Sequence, residues 1–329
     1  MNRRAILIAG ASACLAAPAR AQSNSYAAAA AYSAERHGVS LLVMQGGQVV
    51  FEDYPNEGAR ERGWELASGT KSFCGIIAAA AMQDGFLDLD ERAADTLGEW
   101  RGDARKQRIT IRQILSLTSG IEGGRIGRPP TYAEAIATAA VAEPGERFAY
   151  GPAPFQIFGE IMRRKTSGDP LAYLTRRVLD PLGIAPVQWR RGADGNPHLP
   201  SGASLTARDW ARFGEFVLQQ GEGRVDRTAL GQCFEGTRAN PGYGLTWWLL
   251  RAGLVAPGPR AGVEIDPAFA ARHGGVSMAA GAGDQRLYLV PERGLVVARQ
   301  ASGILQALLG RRQGPRWSDA DFLRLVLGD

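Results

Sequence analysis

The 329-residue sequence is 45% hydrophobic and 22% charged. These are ordinary globular proportions that exclude a disordered chain and allow one large domain or two intimate ones. The net charge of +5 comes from a scattered excess of arginine, with no basic run beyond Arg163-Arg164-Lys165 once the first residues are set aside and no aromatics interleaved with the cations, which argues against a nucleic-acid partner. There is no zinc-ligand spacing and no cofactor motif, so neither metal nor cofactor is expected.

The chain opens with basic Met1-Asn2-Arg3-Arg4, an apolar run from Ala5 to Ala17, and Ala19-Arg20-Ala21, which has the small-x-small form of a signal-peptidase site. This predicts a signal peptide over 1–21, with Arg3-Arg4 compatible with twin-arginine export, and a periplasmic or secreted location. No later apolar stretch reaches the roughly 20 residues needed to span a bilayer, so membrane insertion is not expected. Beyond the leader, Cys74 and Cys233 could form a bridge in an oxidising compartment or serve as buried free thiols.

An alanine-rich helix is expected around Tyr26 to His37. A hairpin follows, with strands from Val39 and Val49 turning at Gly46-Gly47. Ser68 then opens an apolar run through Met82, too long for a strand and ended by Asp84-Gly85, which reads as a buried helix. From 86 to 235 the pattern is helical: Ile111 to Leu117, Tyr132 to Ala142, Phe155 to Lys165, Leu171 to Leu179 and Ala207 to Gln219. Strand signals return at Gly244 to Leu250 and in a second hairpin, Arg286 to Pro291 with Gly294 to Ala298. Ser318-Asp319-Ala320-Asp321 has the form of a helix cap before Phe322 to Leu327.

Strands at both ends around a helical middle predict an α+β fold. One antiparallel sheet, drawn from 22–85 and 236–329, is flanked by helices, with an all-helical insertion over 86–235 and the active site in the cleft between them.

Only three lysines occur, Lys71, Lys106 and Lys165, and one of them completes Ser68-Gly69-Thr70-Lys71. Residues three apart share a helix face, so the Lys71 amine can reach Ser68 and take its hydroxyl proton. Arginine could not do this, because guanidinium does not deprotonate in proteins. A serine at a helix N-terminus also lies beside unpaired backbone N–H groups that can hold an oxyanion. The bland alternative is an N-cap serine followed by a solvated lysine.

Tyr150, in a Pro/Gly-bearing loop before the next helix, can point a phenol into the cleft, where a nearby ammonium would ease its ionisation and let it relay a proton. Two glycine-bearing segments could form the far wall, His273-Gly274-Gly275 and Gly281-Ala282. The second leads directly into a strand and would offer the Ala282 N–H as second oxyanion donor. There is no G-x-S-x-G elbow.

In these residues the chain resembles the serine β-lactamase-related superfamily: class C β-lactamases, penicillin-binding carboxypeptidases, and related esterases and aminohexanoate-oligomer hydrolases. The resemblance runs through Ala67 to Phe73, Ile109 to Gly120, Pro144-Gly145 with Phe148 and Tyr150, Pro181-Leu182-Gly183, Gly242 to Leu245 with Trp247-Trp248, and Gly281 to Pro291. It implies a β-lactamase-like fold and an acyl-enzyme mechanism with Ser68, Lys71 and Tyr150 in the roles above.

Two departures point to the esterase and oligomer-amidase branch. Pro152 stands where the family often has Ser or Asn, and no lysine follows Lys165 to form the far-strand Lys-Thr-Gly triplet, leaving Arg272 or His273 to supply that charge. The expected function is hydrolysis of a small ester, amide or peptide-like substrate. The alternatives are a β-lactamase or D,D-carboxypeptidase, and a catalytically silent cell-wall or partner-binding module. The sequence leaves the oligomeric state open.

Overall fold

The computed structural model describes residues 13–256, 263 and 266–329, with side chains from residue 22. The signal-peptide expectation for 1–21 therefore falls outside the described residues in its first twelve positions and, for side chains, throughout. Helix α1 (Ala13–Glu35) leads into β1 (Gly38–Gln45) and β2 (Gln48–Asp53). The hairpin between the strands turns at Gly46 and Gly47, whose φ values of 54° and 77° are those that a two-residue turn matching strand twist demands.

After β3 (Trp64–Glu65), a 3₁₀ turn (Ala67–Lys71) runs into the buried helix α2 (Ser72–Gln83). The middle of the chain contributes α3 (Ala93–Thr96), α4 (Ile111–Leu115), α5 (Tyr132–Ala137), α6 (Ala153–Thr166) and α7 (Pro170–Leu174), then β4 (Gln188–Trp189) and β5 (Ala203–Leu205). It continues with α8 (Ala207–Leu218) and α9 (Arg227–Gln232). The last part holds β6 (Trp248–Leu249), α10 (Pro267–Arg272), β7 (Ser277–Gly281), β8 (Gln285–Val290), β9 (Leu295–Ala301), α11 (Ile304–Leu308) and α12 (Asp319–Leu327).

The main sheet has the order β2-β1-β9-β8-β7-β6 with every pair antiparallel, so both ends of the chain build it, as expected. Period-two alternation along β8 sends Leu287 and Leu289 toward α8 and sends Arg286 and Tyr288 toward α12. On the α8 side Gly214 seats the helix so close that a Cβ there would lie 2.6 Å from Val296 Cγ1.

Three features depart from the sequence reading. The 86–235 span is not purely helical, because β4 and β5 join β3 in a second sheet of order β3-β5-β4, in segments too short to produce a periodic signal. Helix α8, inside that span, lies on β1, β8 and β9 of the main sheet. Strand β7 went unread because Ser-Met-Ala-Ala-Gly contains no β-branched or aromatic residue; pairing with β6 and β8 makes it a strand.

On the α12 side, Arg286 and Asp319 are buried partners, with Arg286 Nε 2.8 Å from Asp319 Oδ1. Asp319 also accepts from the Tyr288 hydroxyl and from Trp317 Nε1 at 2.9 Å. Removing one member of a buried ion pair leaves the other charge uncompensated. Arg286→Met should therefore lower unfolding free energy by about 3–5 kcal/mol, read as a drop in the denaturant midpoint; an unchanged midpoint would contradict the assignment.

Candidate active site

Ser68 is the second residue of the 3₁₀ turn, two positions after its N-cap, Leu66. The turn is pinned from below by β5: Leu66 N–H donates to Ala203 O at 2.9 Å, and Thr70 Oγ1 donates to Ala67 O at 2.8 Å while accepting from Ala203 N at 3.2 Å. The residue before the serine, Ala67, has φ +46°, a left-handed conformation that costs a non-glycine residue about 1–3 kcal/mol and is held only by surrounding structure. At that kink Ser68 is half-buried, between the buried Ala67 and Gly69.

Lys71 is buried, with 4% of its surface exposed. Its Nζ lies 2.9 Å from Ser68 Oγ and 3.1 Å from Pro200 O, and it faces the rings of Tyr150 and Phe155 at 4.9 and 5.4 Å from their centroids. Among the described residues no carboxylate pairs with it. Burial without a counter-charge brings the amine down to about 7, so near neutral pH a large share of it carries a lone pair. The serine–lysine proximity expected from i,i+3 spacing is therefore present, and the N-cap alternative is not, since Ser68 caps no helix here.

Tyr150 brings its hydroxyl to Ser68, so the three residues converge. Its ionisation runs against the expectation. Burial pushes the phenol up to about 12, opposed by the hydrogen bond with Ser68 and by the charge of Arg286. With the phenol buried and the lysine beside it only partly protonated near neutral pH, a phenolate is disfavoured and Tyr150 is held as an O–H donor.

Of the two candidate far walls, the structure seats Gly281 against the serine turn. A Cβ there would lie 2.1 Å from Leu66 O and 3.1 Å from Gly69 N, so only glycine permits this approach. Ala282 follows in the β7–β8 turn. His273 instead binds the C-terminal residue, its Nε2 2.6 Å from Asp329 Oδ2, at the opposite end of β7. Neither it nor Arg272 on α10 takes the place of the absent lysine.

The charge that acts on Tyr150 is that of Arg286, which sequence reading missed. Its signal was an arginine inside the strand run Arg-Leu-Tyr-Leu-Val, a cation at a buried register position. Arg286 Nη1 also donates to Gly281 O at 3.2 Å. Arg299 Nη1 donates to Asp284 O, and Arg312 Nη1 to Asp284 Oδ2, each at 2.6 Å. Three guanidinium groups thus fix the turn that carries Gly281 and Ala282, in which Gly283 and Asp284 have φ +74° and +59°.

Cys74 and Cys233 are buried free thiols, so the bridge is not formed. Burial pushes Cys233 up to about 12 and Cys74 above the thiol range, and neither offers a thiolate nucleophile. The aromatic rings of Phe148, Tyr150, Tyr243 and Trp248 pack together beside the site, Tyr150 and Trp248 at 5.5 Å between centroids. No helix among the described residues is long and apolar enough to cross a membrane.

A half-exposed serine, a desolvated lysine and a tyrosine converging beside an antiparallel sheet agree with the family comparison. The chain matches the family described as Beta-lactamase over residues 24–303, and it belongs to that family. Among solved structures it resembles EstCE1, described as a hydrolase with promiscuous acyltransferase activity, at TM-score 0.70 and 16% identity over 94% of this chain and 98% of that one. It also resembles the octameric penicillin-binding protein homologue from Pyrococcus abyssi, at TM-score 0.66 and 19% identity over 93% and 77%. At these identities the likeness concerns the fold.

Curated relatives include Protein flp of Staphylococcus aureus (strain MRSA252), 23% identical over 188 residues, and monacolin J acid methylbutanoyltransferase of Aspergillus terreus, 28% identical over 155 residues. These matches span 51% and 38% of this chain but only 38% and 37% of the relatives' own lengths.

Proposed function

We propose that the protein is a cofactor-independent serine hydrolase of small esters or amides. The observation that carries the reading is the buried amine of Lys71, 2.9 Å from the half-exposed hydroxyl of Ser68 and lowered to about 7 by desolvation. A neutral amine at that distance accepts the hydroxyl proton as the Ser68 oxygen forms its bond to the substrate carbonyl carbon. The carbonyl electrons move onto oxygen, where the N–H groups of Ser68 and Ala282 are the proposed donors. When the tetrahedral species collapses, the bond to the leaving group breaks and that group takes a proton delivered through the Tyr150 hydroxyl. Water then repeats the sequence on the acyl-enzyme, with Lys71 again accepting the proton, and releases the acid with Ser68 regenerated.

Ester or open-chain amide substrates are favoured over β-lactams by two features of this chain. Pro152 has no side-chain donor or acceptor, and the wall strand β7 carries no lysine, its nearest strong charge being the buried Arg286. A panel of nitrophenyl esters, nitrophenyl amides, a chromogenic cephalosporin and a D-Ala-D-Ala peptide separates the readings. Turnover of esters with no hydrolysis of the cephalosporin or D-peptide is expected. The reverse preference would assign the protein to the penicillin-recognising branch, and no turnover of any class, with no adduct on Ser68, would leave a silent fold.

A further inference from the structure

Helix α11 joins the two walls of the cleft. At its start Ile304 sits on the turn that follows Gly281, so close that a Cβ on Gly283 would lie 3.1 Å from Ile304 Cα and Cγ1. At its end Leu308 reaches the other side, where its Cδ1 lies 3.5 Å from the Cβ position of Gly127. The loop containing Gly127 passes the Tyr150 segment: Gly123 is in backbone contact with Tyr150 and Gly151, and Gly124 lies against Pro152 and Ala153. The helix therefore bridges the Gly281–Ala282 wall and the Tyr150 wall.

Its side chains are arranged against the usual solvent logic. Ile304 with Leu308 and Leu305 with Leu309 are i,i+4 pairs on adjoining stripes of one face. Leu305, Leu308 and Leu309 are 63%, 40% and 51% exposed, and Ile126, beside Gly127 on the facing loop, is 46% exposed. Four of the nine large exposed hydrophobic side chains among the described residues thus lie on α11 and its C-terminal end and on the loop that Leu308 meets at Gly127. Scattered singly, such residues need no explanation; a contiguous apolar patch marks a surface with an occupant. The position decides which one, because α11 starts against the turn that follows Gly281, and Gly281 itself lies against the serine turn.

We infer that Ile126, Leu305, Leu308 and Leu309 form the acyl-chain wall of the cleft, and that the substrate carries an apolar acyl group several carbons long. This rests on the hydrolase reading above. A helix of five residues is about 7.5 Å long, enough to line several methylenes. Full burial of one CH₂ corresponds to roughly fourfold in affinity, and a wall open on one side to roughly twofold per methylene.

The test is kcat/KM for nitrophenyl acetate, butyrate, hexanoate and octanoate. In the wild-type protein the values should climb by about twofold per methylene before levelling. In a Leu305→Asp/Leu308→Asp protein the octanoate-to-acetate ratio should fall by roughly tenfold or more. Val50→Asp, at a comparably exposed apolar residue on edge strand β2, should leave that ratio alone. Since all three side chains are exposed, the variants should fold, and matching melting curves check this; Leu308→Gln is the milder substitute.

A flat wild-type series, or a slope that survives the double substitution, overturns the inference. So does a change in hydrodynamic mass in the double variant with the slope intact, because the patch would then be a contact between copies. Failure of the parent reading looks different: no ester of any length is cleaved, and a fluorophosphonate leaves Ser68 unlabelled.

Discussion

Ser68→Ala is expected to reduce ester turnover by about 10⁴-fold or more, with little change in stability. The hydroxyl is the only group removed, and it does not hold the turn: the 3₁₀ turn is pinned by Leu66, Thr70 and the backbone of β5, and Ser68 caps no helix. Lys71 keeps its hydrogen bond to Pro200 O. What remains is a pocket that still binds and polarises the substrate but has no nucleophile, and residual rates of that kind lie orders of magnitude below the acyl-enzyme route. Steady-state kinetics on the best nitrophenyl ester, with a urea melt as control, gives both numbers. A loss of less than tenfold would move the nucleophile elsewhere.

Lys71→Arg should cost roughly 100-fold or more in turnover, although it keeps a nitrogen donor at the position. A guanidinium remains protonated, so it can hydrogen-bond Ser68 but never accept its proton. The same argument fixes the pH dependence. Below about 7 the wild-type amine is protonated, and kcat/KM should fall about tenfold per pH unit; above about 7 it should plateau.

Folding stability should show the corresponding sign. The unfolded lysine titrates near 10.5 and the folded one near 7, so between those values the unfolded chain binds the extra proton and stability rises with pH. Lys71→Met, which removes the titration without burying a fixed charge, should abolish both the activity and that slope. A Lys71→Arg protein with near-native turnover would remove the lysine from the mechanism.

The parts of this site legible in the sequence are those set by short-range geometry. Ser68 and Lys71 are three residues apart, and the turn that joins them is dictated by the same local chain that the motif displays. The two hairpins were readable for the same reason, Gly46-Gly47 supplying the left-handed turn and alternating apolar runs supplying the strands. Gly281 could be picked out because its glycine sits where backbone must pass close to backbone.

What resisted reading depends on contacts between distant segments. Arg286 acts on Tyr150 and on Gly281 only because β8 lies beside β7 and α12 supplies Asp319 across the sheet. Strand β7 itself is made by its neighbours, since its own residues have no strand preference. Phenol ionisation was read with the wrong sign because the phenol is itself buried, which disfavours its charged form, and the lysine beside it is desolvated as well. The charge expected from Arg272 or His273 failed for a simpler reason: the helix that ends at Arg272 and the contact of His273 with Asp329 hold them at the far end of the strand.

The most direct measurement is intact-mass and peptide mapping of the full chain after reaction with a small fluorophosphonate, with the labelling rate followed from pH 5 to pH 9. A single adduct on the peptide carrying Ser68 is predicted, formed at a rate that rises through a midpoint near 7 and then levels. An adduct on another residue, or labelling of Ser68 at a rate indifferent to pH across that range, would contradict a buried neutral amine as the base.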